Sequence, residues 1–285
     1  MRIIDTHVHI WDLEKAEYPW LQGDTSILNR TWRIEEIEKD RKEAGITAGV
    51  LVQASGNLED SELMLETAYK TDWIRGIVGW LPLMDTKATQ QLLEEIFLKE
   101  KYFKGVRHQI HDEKDPKWLL QPAVIESLKL LASFDIPYDV VGILPSHIQT
   151  VIEVADKIPG LRMVFDHLNW PPIPRKEKFG RWGDLIKIAA QRKNLYAKIS
   201  GLGTASVDFQ DRTTDDIKPY VKFVLEHFGP ERCFCGGDWP VSMLANNYIK
   251  TWQTTKDILN DLLNDVQKDK VLFSNANNFY KLGLS

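Results

Sequence analysis

Short apolar runs and helical segments alternate along almost the whole 285-residue chain, and that alternation narrows the fold more than any other feature. Runs of strand character cover Ile3–Ile10, Ala48–Ala54, Ile74–Leu81, Gly105–Ile110, Pro137–Gly142, Arg162–His167, Leu195–Ser200 and Cys233–Asp238. Helical spacing fills the intervals over Ile34–Ala44, Asp60–Thr71, Thr86–Lys99, Leu119–Phe134, Ser146–Lys157, Trp182–Arg192 and Asp216–Phe228. Two closing helices are expected over Ala245–Leu263 and Lys268–Tyr280. Strands that are apolar on both faces belong to parallel sheets covered by helices. Eight such units in roughly 250 residues predict a closed (β/α)8 TIM barrel. The rival is a doubly wound open sheet. Neither a Gly-x-Gly-x-x-Gly turn after a strand nor a Walker loop supports its nucleotide-binding forms. No linker or low-complexity stretch divides the chain, so residues 1–285 are expected to form a single domain. The irregular stretch Trp11–Arg33 is long enough to be a functional loop.

Charge and cysteine usage narrow the partners. The net charge is −5, the pI about 5.9, and no long basic run is present, which argues against nucleic acid. Cys233 and Cys235 lie two apart on one apolar run and cannot supply a disulfide framework, so a reducing cytoplasm is expected. No apolar run approaches the roughly 20 residues of a membrane span, and charged and imidazole side chains interrupt the first residues before a secretory core can form. The expected partner is a small molecule, and a homo-oligomer remains open.

Reactive residues gather at the ends of the predicted strands, where a barrel of this kind carries its site. Asp5-Thr6-His7-Val8-His9 ends the first. Side chains two apart on a strand share a face, so His7, His9 and also Asp5 are expected on one side. Two imidazoles so placed can grip one metal ion or one anionic group. The fourth strand offers Arg107 and His108, with His111 beyond; the sixth Asp166 and His167; the seventh Lys198 and Ser200; the eighth Asp238. Four of the seven histidines therefore fall at strand ends, which a random scatter would not give. Asp166 and His167 are adjacent, so one is expected inside the barrel and the other toward the helices, with His167 inward. Gly236-Gly237 before Asp238 leaves room for substrate or backbone to come close. Trp11, Trp80, Trp170 and Trp239 also lie near strand ends, where an indole either packs under a loop or offers an apolar face to a ligand.

Asp5-Thr6-His7-Val8-His9, Phe165-Asp166-His167 and Gly236-Gly237-Asp238-Trp239-Pro240 resemble the corresponding motifs of the amidohydrolase superfamily. Gly105-Val106-Arg107-His108 with Asp112-Glu113, Lys198-Ile199-Ser200-Gly201-Leu202, and Asn275-Ala276 with Tyr280 resemble one branch of it. That is the amidohydrolase-related (amidohydrolase 2) branch of sugar-acid lactonases, such as fuconolactonase and rhamnonolactonase, which also includes pyrone-dicarboxylate hydrolases. The likeness runs over nearly the whole chain. It departs at the fifth strand, where Tyr138-Asp139-Val140-Val141-Gly142 offers neither the bridging lysine nor the histidine of dinuclear members. The resemblance therefore implies at most one metal ion, on His7, His9, His167 and Asp238, which some relatives dispense with. Leu144-Pro145-Ser146-His147 stands where the lactonases tend to have an Arg-Pro-x-Gln stretch.

The expected activity is hydrolysis of a sugar-acid lactone. Asp238 would take the proton of the attacking water. The carbonyl would be polarised by Zn²⁺ on His7 and His9, or by Arg107 and His108. Trp11, Trp170, Lys198 and Trp239 are the expected substrate contacts. A metal-dependent decarboxylase on the same scaffold is the alternative, and it would need an unsaturated acid held over the ion.

Overall fold

The computed structural model describes residues 2–173, 178–205 and 213–285. Eight parallel strands follow one another around a single sheet: β1 (Ile4–Val8), β2 (Ala48–Val52), β3 (Ile74–Gly79), β4 (Phe103–His108), β5 (Tyr138–Val140), β6 (Met163–Phe165), β7 (Leu195–Ile199) and β8 (Cys233–Cys235). The sheet closes because the chain after β8 returns to β1. Asp238 N–H donates to His7 O at 2.7 Å, and His9 N–H donates to Trp239 O at 2.7 Å. The fold is the (β/α)8 barrel expected from the alternation.

Outside the strands lie α1 (Glu38–Glu43), α2 (Leu58–Lys70), α3 (Thr86–Glu95), α4 (Pro122–Ser133), α5 (Pro145–Lys157), α6 (Gly180–Ala190), α7 (Thr214–Phe228) and α8 (Tyr248–Leu262). Their starts follow local chemistry. The side chains of Asn57, Asp85 and Asn247 accept the backbone N–H of Asp60, Ala88 and Lys250, which satisfies donors that a helix leaves open in its first turn. Pro122 and Pro145 open α4 and α5 at positions where no amide is needed. The helix expected over residues 34–44 begins as a 3-10 turn at Ile34–Ile37 before α1. The last expected helix divides into α9 (Asp265–Asp269), a wide turn over Lys270–Ser274, and α10 (Asn275–Phe279). Ile4, Val50, Val52, Val78, Val164 and Phe234 pack against Phe273, Phe279 and Tyr280, so the C-terminal segment plugs the end of the barrel opposite the site. None of the helices among the described residues is long and apolar enough to cross a membrane.

β1 departs from strict alternation. Asp5 pairs with Gly49 and Val8 with Leu51, so three steps on β1 face two on β2, a β-bulge. The bulge corrects the expectation for Asp5. Instead of joining His7 and His9, its carboxylate accepts the N–H of Gly237 and His7 at 2.8 and 2.9 Å and the hydroxyl of Tyr248, on α8, at 2.6 Å. Gly237 is needed there, because a Cβ on it would sit 2.6 Å from Asp5 Oδ2 and 2.5 Å from the Tyr248 ring. A Cβ on Gly236 would likewise meet that of His7 at 2.5 Å. The space these glycines leave is filled by the protein itself, not by a substrate.

The long loop after β1 is fastened to the chain beyond β2. Tyr18 Oη donates to Asp60 Oδ1 at 3.0 Å, Trp20 Nε1–H to Ala54 O at 2.9 Å, and Ser55 Oγ–H to Glu17 O at 2.6 Å. Burial pushes the Asp60 carboxyl up to about 7, although the Ala54 N–H and Tyr18 hydroxyl pull it down. The folded state thus holds this proton more tightly than the unfolded chain does. Its stabilising contribution is complete below about pH 4 and is lost as the pH climbs to about 7. Asp60→Asn removes that dependence. Urea midpoints should show the variant gaining on the parent between pH 4.5 and 7.5; a difference constant over that range would contradict it.

Candidate active site

His7, His9, His167 and Asp238 meet at the C-terminal mouth of the barrel. His7 Nε2 lies 3.1 Å from His9 Nε2, and Asp238 Oδ1 lies 3.7, 3.5 and 3.9 Å from the Nε2 atoms of His7, His9 and His167. His7, His167 and Asp238 each offer a ligand atom within 4.8 Å of the others. Zinc–ligand bonds of about 2.0–2.2 Å put the ligand atoms of one tetrahedral ion about 3.3–3.6 Å apart, which is close to these separations.

The hydrogen bonds behind the imidazoles decide which nitrogens are free. His9 Nδ1 lies 2.7 Å from Val52 O. A carbonyl only accepts, so Nδ1 carries the proton and Nε2 presents a lone pair. That lone pair faces His7 Nε2, whose own Nδ1 lies 3.5 Å from Asp166 Oδ1. Burial lowers the pKa of both rings, for His7 far below the ordinary value against the pull of Asp166, so both are neutral. Two close imidazole nitrogens and a carboxylate are a donor set for a cation of zinc type, and the residues fit such an ion.

Left-handed backbone brings the other two members in. The strand ends at Phe165, and His167, Leu168, Asn169 and Trp170 all have φ between 51° and 56°. Asp166 and His167 are thereby released from strand alternation. Both reach the site, where one was expected to face the helices. His167 Nδ1 lies 2.9 Å from Ser200 Oγ, which also accepts the His167 N–H at 3.3 Å. Asp238 has φ 56°. Beside it Gly201, at φ +59°, has no room for a side chain, since a Cβ would sit 2.4 Å from His167 Nδ1 and 2.8 Å from Asp238 Oδ2.

Beneath the mouth is a buried ionic layer. Lys198 Nζ donates to Asp139 Oδ2 at 2.7 Å, pairs with the charge of Asp166, whose Oδ1 lies 2.8 Å away, and lies 3.3 Å from both Thr6 O and His7 Nδ1. Tyr280 Oη donates to the same Asp139 oxygen at 2.6 Å. Arg107 Nη1 lies 3.3 Å from Asp166 Oδ2 and 3.3 Å from His7 Nε2. Burial alone would push the Asp166 carboxyl up. The Lys198 ammonium, His7 and Arg107 outweigh it and hold the group well below the usual carboxylate range. Burial keeps Asp139 up at about 6, with Lys198 opposing and Asp166 reinforcing it.

Several expected site residues stand elsewhere. Lys198 was expected on the substrate. It is fully buried, hydrogen-bonded to Asp139, Thr6 O and His7 Nδ1 and ion-paired with Asp166. His108 stacks on Trp118 with centroids 4.1 Å apart, accepts from Trp80 Nε1–H at 3.1 Å, and lies 2.7 Å from Glu113, so its ring is engaged away from the cluster. The indole of Trp11 is buried and donates to Arg30 O, and Trp239 is buried edge-on against Trp32 at 5.3 Å. Trp170 alone of the expected indole contacts is open, at 36% exposure. It borders a cavity of about 140 Å³ with Ile143, Asn169 and Arg181. Asp139 and Gln53 were missed from the sequence. A lone carboxylate inside the apolar run Tyr138–Val141 signals a buried cation partner. Gln53 only prolongs an apolar run and carries no such signal.

Residues 4–282 match the family model described as amidohydrolase. This chain belongs to the amidohydrolase family. Among characterised relatives, the amidohydrolase is 27% identical over 282 residues to the L-fucono-1,5-lactonase of Burkholderia ambifaria, covering 98% of this chain and 95% of that one. It is 24% identical to the L-rhamnono-gamma-lactonase of Scheffersomyces stipitis over 99% of each chain. Its fold superposes with a TM-score of 0.89, at 24% identity and over 99% of each chain, on a Burkholderia multivorans amidohydrolase crystallised with bound zinc.

The ionic layer gives a stability prediction. Removing one member of a buried ion pair leaves the others uncompensated and costs about 3–5 kcal/mol. Lys198→Met, similar in length and uncharged, should lose about that much in urea unfolding. A loss below about 1 kcal/mol would mean that the pairing with Asp139 and Asp166 is not what stabilises this layer.

Proposed function

We propose that this amidohydrolase opens the lactone ring of a sugar acid by attack of water. The observation that carries the proposal is the Asp238 carboxylate set 3.5–3.9 Å from three imidazole nitrogens at the mouth of the barrel. The likeness to lactonases over nearly the full chain supports the substrate class.

Asp238 is the general base. Its carboxylate takes one proton as the water oxygen bonds to the lactone carbonyl carbon. The same carboxyl returns that proton to the ring oxygen when the ring C–O bond breaks, so the group ends as it began and the product is the open hydroxy acid. Arg107, with a nitrogen facing the cluster, stabilises charge gathering on the carbonyl oxygen. Trp170 offers its exposed face to the sugar ring. A single Zn²⁺, if bound, would be held by His7, His9, His167 and Asp238, and it would supply Lewis acidity and lower the pKa of water.

Asp238→Asn keeps size and hydrogen bonding but cannot take the proton. Its kcat on aldonolactones should fall by about 10²–10⁴ with the fold unchanged by circular dichroism. Turnover close to that of the parent would remove Asp238 from the role of base. Elemental analysis of protein dialysed against Zn²⁺ should give at most one equivalent, lost on replacing His7 with Ala. Two equivalents would refute a single ion. Full activity in metal-free protein would leave carbonyl polarisation to Arg107 and the imidazoles.

A further inference from the structure

Gln53 follows β2 directly and is fully buried. One edge of the Arg107 guanidinium rests on it. Nε–H donates to Gln53 Oε1 at 3.1 Å, and Nη2–H donates to the backbone oxygen of the same residue. The amide is itself fixed, because Gln53 Nε2–H donates to Gln109 Oε1 at 3.1 Å. The opposite end of the guanidinium points the other way. Nη1 donates to Asp166 Oδ2 at 3.3 Å and lies 3.3 Å from His7 Nε2. The preceding carbonyl, Val52 O, is the partner of His9 Nδ1. Two consecutive residues at the end of one strand thus orient two groups of the cluster.

We propose that Gln53 is a positioning residue. It forms a preformed two-oxygen clamp for a guanidinium and aims Arg107 at the atom on which charge develops. This rests on the lactonase reading for its kinetic consequence. A guanidinium on a long flexible side chain reaches many positions. Two acceptors on one edge and a carboxylate on the other leave it one, and the geometry is paid for during folding rather than in each turnover. A glutamine that merely filled space would make no difference to whether a free guanidinium ion settles in the vacated position.

That distinction sets the experiment. In Arg107→Ala the clamp remains without its occupant. Titration with guanidinium chloride at low millimolar concentration, followed by calorimetry, is expected to show saturable binding together with partial return of aldonolactone hydrolysis. In Arg107→Ala with Gln53→Leu the binding should weaken by about tenfold or more, since the side-chain hydrogen bond from a charged donor is removed while the backbone oxygen remains. In the otherwise unaltered chain Gln53→Leu should lower kcat by about 10²-fold with KM changed much less. Gln53→Glu, which keeps an oxygen facing Nε, should recover most of that loss. Equal guanidinium binding with and without Gln53, or none in folded Arg107→Ala, overturns the clamp. If the double variant does not fold, Gln53→Asn in the Arg107→Ala background withdraws the amide by one methylene and gives the same comparison. Should the parent protein open no lactone at all, the lactonase reading falls, while the binding comparison still decides the role of Gln53.

Discussion

The site rests on one buried ammonium. Lys198 bridges Asp139 on β5 and Asp166 after β6, and touches Thr6 and His7 on β1, so one side chain from β7 ties together strands on both sides of the barrel. Each carboxylate would be costly to bury alone. Together with Arg107 they form a layer of two cations and two anions, anchored from below by Tyr280. Asp166 is the joint of this layer, because one of its oxygens faces Lys198 and His7 and the other faces Arg107. The orientation of His7, and through it the mouth of the barrel, is set by this buried charge layer.

Above that layer the backbone, rather than the strand pattern, delivers the side chains of the mouth. Alternation can send only every second residue inward, yet Asp166 and His167 are consecutive and both belong to the site. The left-handed run from His167 to Trp170 makes this possible, and the left-handed Asp238 does the same after β8. Such conformations cost free energy in residues other than glycine, and they persist where surrounding contacts hold them. Here the contacts are Ser200 on His167, and the His7 carbonyl that takes the Asp238 N–H. Gly201 leaves the space that both side chains occupy.

Most of the barrel was legible because its strands are apolar runs of the right length and its helices carry the complementary spacing. The four residues of the mouth were legible too, since histidines and an aspartate at the ends of predicted strands have few structural reasons to be there. What stayed hidden depended on backbone phase or on long-range partners. Asp5 follows the right period, but the bulge between Asp5 and Val8 breaks it, and nothing in Ile4–Val8 announces a bulge. Lys198 reads as a substrate contact because a lysine at a strand end is normally exposed. Only Asp139, sixty residues earlier in round terms and set in an apolar run, marks it as a buried partner. Trp11 and Trp239 read as binding platforms from position alone. Their neighbours Arg30 and Trp32 come from the long loop, whose path has no periodicity to follow.

Charge accounting links the two levels to the chemistry proposed. The buried layer balances: Lys198 and Arg107 against Asp139 and Asp166. At the mouth, the buried neutral rings of His7 and His9 leave the Asp238 carboxylate uncompensated by the layer beneath. A carboxylate at this point can take a proton from water, as the proposed general base must, and it repels a substrate that brings its own negative charge there. A neutral ring ester meets no such repulsion, and it becomes anionic only as water adds. In the proposed reaction that developing charge is met by Arg107, whose guanidinium Gln53 and Asp166 hold in place. This arrangement of charges is consistent with the reaction proposed above, which begins neutral and gathers charge at the carbonyl oxygen.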